Sequence, residues 1–187
     1  MEISFERNII YPYIAFRRRL SFNTFRGTRD HTGIDLQFPA SYGFGSVHHS
    51  YGRPVFAAHD GHVIRSHYES NRFASGTAGS FVVIRSNTIC PMSDEFIASR
   101  YLHLSGRPLT SLVAIGGSPV PITRGMQIGY LGNSGTWLGS GAFGSSGHLH
   151  FDVNNSGYRL TNTSNSLNPE RFFPNIEIRG FSSRVTP

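Results

Sequence analysis

The chain has 187 residues, a length that fits one domain and allows a buried core without disulfide staples. Its single cysteine, Cys90, excludes an intramolecular disulfide and any multi-cysteine zinc cluster. Seventeen Lys and Arg against eleven Asp and Glu give a formal +6, which favours anionic surroundings such as nucleic acid, anionic lipid or a phosphate- and carboxylate-rich wall.

In chain order, residues 1–25 are weakly patterned and read as a packed N-terminal strand or a linker, ahead of a domain over 26–187. The Met1–Glu6 start has no basic region followed by an apolar one, and no run approaches the ~20 apolar residues of a membrane span. Three expectations stay open: a leader has been removed, the chain is exported by another route, or it acts from inside a cell or virion. Arg17-Arg18-Arg19 reads as a solvated loop or strand edge rather than a polyanion contact. Alternation and β-rich composition predict strands over 33–38, 54–58, 62–67, 81–86, 97–104, 127–131 and 148–154. Asp60-Gly61 is a type I′ hairpin signal between the second and third of these. The segment 166–173 predicts one helical turn, capped by Asn168 with Pro169 first. Long loops fall at 40–53, 68–80 and 133–147, the last glycine-rich and carrying Trp137 and Phe143. The expectation is a mostly β domain, an antiparallel sheet core with long loops walling a groove.

Histidine carries the chemistry. His148 and His150 lie two apart in a strand-like stretch, so both rings face one side while Leu149, Phe151 and Val153 face the core. Such a pair suits a metal pair, or one ligand beside one proton carrier; alone it is more often the polar face of a half-buried strand. His31 and Asp35 fit a loop entering a strand, and zinc accepts both imidazole and carboxylate donors. Alternation sets His103 opposite to Leu102 and Leu104, which suit the core. Each of these taken singly has a bland reading as a solvated polar residue.

Their order is more specific. H-x-x-x-D at 31–35, Y-x-H-L-S at 101–105 and G-H-L-H-F-D-V at 147–153 together resemble the lysostaphin-like (M23) zinc endopeptidases. The stretch 53–63, RPVFAAHDGHV, resembles that family's hairpin. Gly125 to Gly132 with Asn133-Ser134-Gly135 resembles its G-x-x-I-G-x-x-G-x-[ST]-G stretch, and Leu167-Asn168-Pro169 its usual close.

The resemblance implies zinc held by His31, Asp35 and His150, with His103 and His148 as the catalytic pair beside it. Two neutral imidazoles and one carboxylate leave Zn²⁺ a net positive charge and an open position for water. It implies hydrolysis of peptidoglycan stem peptides or cross-bridges, in the periplasm, at the cell surface or after secretion, by a chain expected to be a monomer. Two features depart from the family: Asp152 stands where glutamate is commoner, and the 133–147 loop is long. Trp137 and Phe143 are therefore expected to reshape the groove. The rival expectations are a non-catalytic zinc-binding relative acting as a scaffold or regulatory module, and a polyanion-binding β module. No basic helix or RNP-like motif supports specific nucleic-acid binding. Of the other histidines, His59 and His62 are expected in solvent beside the Asp60-Gly61 turn, His48-His49 along the groove, and His67 in a structural role. Cys90 is expected to be an inert thiol.

Overall fold

The computed structural model describes residues 17–20, 31–37, 51–70, 77–90, 94–110, 113–114, 116–135, 147–155 and 166–172. His48, His49, Trp137 and Phe143, and with them most of the 40–53 and 133–147 loops, lie outside these residues. The strands are β1 Arg17–Leu20, β2 Ile34–Gln37, β3 Pro54–Phe56, β4 Gly61–His67, β5 Ser80–Cys90, β6 Glu95–Ser105, β7 Val120–Ile122, β8 Gln127–Leu131, β9 Leu149–Asn154 and β10 Ser166–Leu167. They form one antiparallel sheet in the order β1-β2-β9-β6-β5-β4-β7, with β10 added to β9, and β8 bridging β3 and β6. One 3₁₀ turn follows at Pro169–Phe172, where Arg171 N–H donates to the Asn168 carbonyl at 3.1 Å. The protein is mostly β, as the composition and alternation predict.

β9 organises the sheet. One of its edges pairs with β6 and the other with β2 and then β10, and all six of its residues are buried. Alternation sends Leu149, Phe151 and Val153 into the larger apolar cluster with Ile34, Leu36, Val82, Ile84 and Tyr101. A smaller cluster of Ile64, Phe81, Val83 and Ala98 covers the other face of the central strands. Each fully buried side chain of this size contributes about 1.5–3 kcal/mol, so the sheet is held from both sides. The three strands that alternation alone does not delimit have physical reasons, although β1 falls within the 1–25 segment read as a packed N-terminal strand or a linker. β10 is two residues long, β7 contains Pro121, and β1 carries the Arg17-Arg18-Arg19 run. Both β7 and β1 end the sheet order, where proline and charge are tolerated.

Three sequence expectations are corrected. β3 and β4 do not form a hairpin through Asp60-Gly61: β3 pairs with β8, and β4 with β5 and β7. Nor does strict alternation hold at His103. Leu102 pairs opposite His150 and packs on the smaller cluster, whereas Leu104 pairs opposite Leu131 and sits in the larger one. A register shift in the β5–β6 ladder absorbs His103 as the extra residue of a bulge. Lastly, His59 is buried rather than solvated, while His62 is exposed.

The burial of His59 is satisfied by a chain of hydrogen bonds. Its Nδ1–H donates to the Asp60 carbonyl at 2.9 Å, and its Nε2 lies 2.9 Å from Ser99 Oγ, which lies 3.1 Å from the Tyr101 hydroxyl. That hydroxyl accepts the Ala58 N–H at 2.8 Å, and burial raises its pKa to about 12. Burial outweighs the Asp60 carbonyl and charge at His59 and lowers its pKa. The unfolded chain therefore takes up this proton first, so the linked stability is present above the ordinary value of 6.5 and is lost as pH falls below it. Urea unfolding of wild type and His59→Gln between about pH 7.5 and about pH 5 should show a steeper loss for wild type. Parallel pH profiles would contradict a buried neutral His59.

Gly33, one residue before β2, faces β9 without space for a side chain. A Cβ there meets the Phe151 carbonyl, comes within 2.6 Å of Asp152 Cβ and within 2.9 Å of His150 Nε2. Gly33→Ala is expected to cost about 1–3 kcal/mol in urea unfolding as β2 and β9 are pushed apart; an unchanged midpoint would contradict this close approach.

Candidate metal centre

The register of two strands builds the site. Asp35 of β2 stands directly opposite His150 of β9, so their side chains project from the same face as neighbours. His31, in the segment leading into β2, turns its ring edge-on to His150 with centroids 4.8 Å apart. His31 Nε2 lies 3.1 Å from Asp35 Oδ1 and 3.0 Å from His150 Nδ1, and the last two atoms are 3.0 Å apart. All three residues are buried. Among the described residues no other His, Cys, Asp or Glu trio converges in this way.

The donor set fits a metal ion. Three atoms in mutual contact, with at most one proton on each nitrogen and none on the carboxylate, leave one edge of the triangle without a hydrogen bond. A cation shared by all three removes that repulsion, and two imidazoles with one carboxylate match the donors zinc accepts. The electrostatics point the same way. Burial opposes ionisation of Asp35, yet hydrogen bonds from His150 and His31 and the nearby His148 hold its carboxyl far below the usual range. Burial also opposes charge on His150, but Asp152 and Asp35 together raise its pKa to about 9. The site attracts positive charge even while it lies out of water.

Two more rings border this triangle. His148 Nε2 is 3.6 Å from Asp35 Oδ1, and the backbone N–H of His148 donates to the Gly132 carbonyl at 3.1 Å, joining the two ends of the 133–147 segment. His103 lies with its ring centroid 5.0 Å from that of His148 and 6.0 Å from that of His150. Its backbone is in the left-handed region, φ 64°, where a non-glycine residue costs of order 1–3 kcal/mol. The strain is held by two bonds: His103 N–H to the Ala78 carbonyl at 3.1 Å, and Nδ1–H to the Ser134 carbonyl at 2.8 Å. Ser134 is itself fixed, its hydroxyl donating to the Leu104 carbonyl at 2.7 Å and accepting Ser80 N–H at 2.8 Å. Burial, followed by the charges of His148 and His150, pushes the pKa of His103 down to about 3. The bulge thus turns His103 toward His148 and His150, on the face that strict alternation from Leu102 would deny it.

The structure brings together all five residues singled out in the sequence: His31, Asp35, His103, His148 and His150. It adds roles that the sequence reading does not assign. Asp152 Oδ2 is 3.2 Å from His150 Nε2, and Asp152 Oδ1 accepts a hydrogen bond from Arg100 Nε. Strand alternation predicts that Asp152 shares a face with His148 and His150, a signal obscured by its standing as a substitute for glutamate. Ser134 acts through its hydroxyl and its carbonyl, and Gly33 through close backbone approach, contacts that the spacing of the motifs does not specify. Cys90 is buried and unpaired, and His67 lies exposed against the Phe81 ring at 5.6 Å.

No family model matches the chain, and no curated protein matches it in sequence. Solved structures do match in fold. The antimicrobial peptidase lysostaphin from Staphylococcus simulans superposes with a TM-score of 0.54 at 17% identity, covering 95% of this chain and 57% of that one. LytU gives 0.53 at 23% identity, covering 86% of each chain. A candidate glycyl-glycine endopeptidase, LytM, from Ruminococcus gnavus gives 0.53 at 21% identity, covering 88% of this chain and 59% of that one. The chain thus spans little more than half the length of the lysostaphin it matches. With antiparallel strands in place and likeness along most of its length, this chain has the lysostaphin-like (M23) fold.

Proposed function

We propose that the protein is a zinc-dependent endopeptidase that hydrolyses peptide cross-links of bacterial peptidoglycan. The observation that carries this reading is the buried triangle of His31, Asp35 and His150 with His103 and His148 beside it. A purely structural zinc site closes all four positions with protein donors; here three donors converge and two further histidines border them. That pairing favours catalysis over a non-catalytic scaffold role. The fold shared with an antimicrobial peptidase and with a candidate glycyl-glycine endopeptidase supports a peptide substrate. A formal charge of +6 suits an anionic wall, met outside the cytoplasm.

His31 Nε2, Asp35 Oδ1 and His150 Nδ1 would hold the metal. When bound, zinc supplies Lewis acidity that polarises a scissile carbonyl and lowers the pKa of a water toward ~7. The two bordering histidines move protons. With its Nδ1–H committed to the Ser134 carbonyl, His103 presents the Nε2 lone pair as a base. His148, held at the loop base beside Asp35, provides the second imidazole. Between them they take the proton from the attacking water and return one to the leaving amine, while the charged form of either steadies the oxyanion.

Two groups of variants separate these roles. His31→Ala and Asp35→Ala should lose stoichiometric zinc, measured by metal analysis after gel filtration. His103→Ala and His148→Ala should retain zinc and lose about 10²–10⁴ in turnover. Turnover is read by mass spectrometry of fragments from purified sacculi of glycine-bridged and diaminopimelate-linked types, with and without chelator. Fragment masses name the bond. No zinc-dependent cut in any wall, despite bound zinc, would contradict the peptidase reading.

A further inference from the structure

Arg100 and Asp152 stand directly opposite each other on β6 and β9, and both are buried. A buried ion pair of this kind adds little net stability over apolar residues of the same size. Stability alone therefore leaves its presence in the middle of the sheet unexplained. Its second contact supplies a reason. Arg100 takes up Asp152 Oδ1, which leaves Oδ2 at 3.2 Å from His150 Nε2. An ionised carboxylate has no proton to give, so the proton in that contact sits on His150 Nε2. A neutral imidazole protonated there carries its lone pair on Nδ1, the atom that faces Asp35 Oδ1 and His31 Nε2 at 3.0 Å. Gly33 packs its backbone over the same junction, beside both Asp152 Cβ and His150 Nε2.

We propose that Asp152, held in place by Arg100, is a positioning residue that fixes the His150 ring and its Nδ1 lone pair for the metal. The proposal rests on the zinc reading above. It assigns to an aspartate two residues beyond His150 a task distinct from binding the metal or moving a substrate proton. Carboxylates that accept the second N–H of a metal-bound histidine typically account for about 10–100-fold in metal affinity.

The test is a zinc competition titration against a chelating dye on the full chain, wild type and Asp152→Asn side by side. It is accompanied by ¹⁵N NMR of the His150 ring in metal-free wild type at alkaline pH, where the ring is neutral. Asp152→Asn is expected to bind zinc about 10–100-fold more weakly, and the wild-type ring to carry its proton on Nε2. Unchanged zinc affinity in a folded Asp152→Asn, or a proton on Nδ1 in wild type, would overturn the assignment. Should Asp152→Asn fail to fold, the wild-type ring proton decides. A wild-type chain that binds no zinc defeats the zinc reading itself, while the ring proton still reports whether Asp152 orients His150.

Discussion

The antiparallel pairing of β2 with β9 sets Asp35 across from His150, and the candidate site follows from that register. A slip of one residue would send Asp35 into the apolar cluster and Ile34 or Leu36 onto the site face. The slip is opposed from both directions. Ile34 and Leu36 are buried with Leu149, Phe151 and Val153 on one face, and Gly33 fits against Asp152 and His150 on the other. The geometry of three polar donors is therefore maintained by the burial of apolar neighbours, which is non-directional and strong, rather than by the polar contacts themselves.

The face that carries the site is costly to bury. Asp35, Arg100, Asp152, His148 and His150 all lie out of water on or beside β9. Such groups are tolerated only when paired or bound to a cation. Arg100 neutralises Asp152, and His150 shares its positive charge between Asp152 and Asp35 in the metal-free chain. The arrangement at His103 adds backbone strain to this burden. Its left-handed conformation persists because Ala78 and Ser134 carbonyls hold it at the point where β6 leaves β9 and joins β8. Strain and buried charge are thus concentrated within one side of one sheet, next to Gly132 and Ser134, while the remaining face is a conventional apolar core.

Much of this was legible in the residues. Period-two alternation locates β4, β5, β6, β8 and β9 within a few residues, because each of these strands buries one apolar row. The H-x-H leading into β9 announces a polar face, and the spacing from His31 to Asp35 fits a loop running into β2. Other features were hidden for identifiable reasons. The Asp60-Gly61 signal describes a local turn preference, but long-range pairing of β3 with β8 overrides it. His59 looks like a surface histidine because its satisfaction depends on Ser99 and Tyr101, forty and more residues away. The His103 bulge breaks the very alternation used to orient its side chain. Arg100 and Asp152 become a pair only once β6 and β9 are in register.

The most direct test of the central claim is an anomalous-difference map, collected at the zinc absorption edge from crystals of the zinc-loaded chain. A single peak in contact with His31 Nε2, Asp35 Oδ1 and His150 Nδ1 is the expected result. A peak on other histidines, or none at this triangle, would contradict a metal centre built by the β2–β9 register.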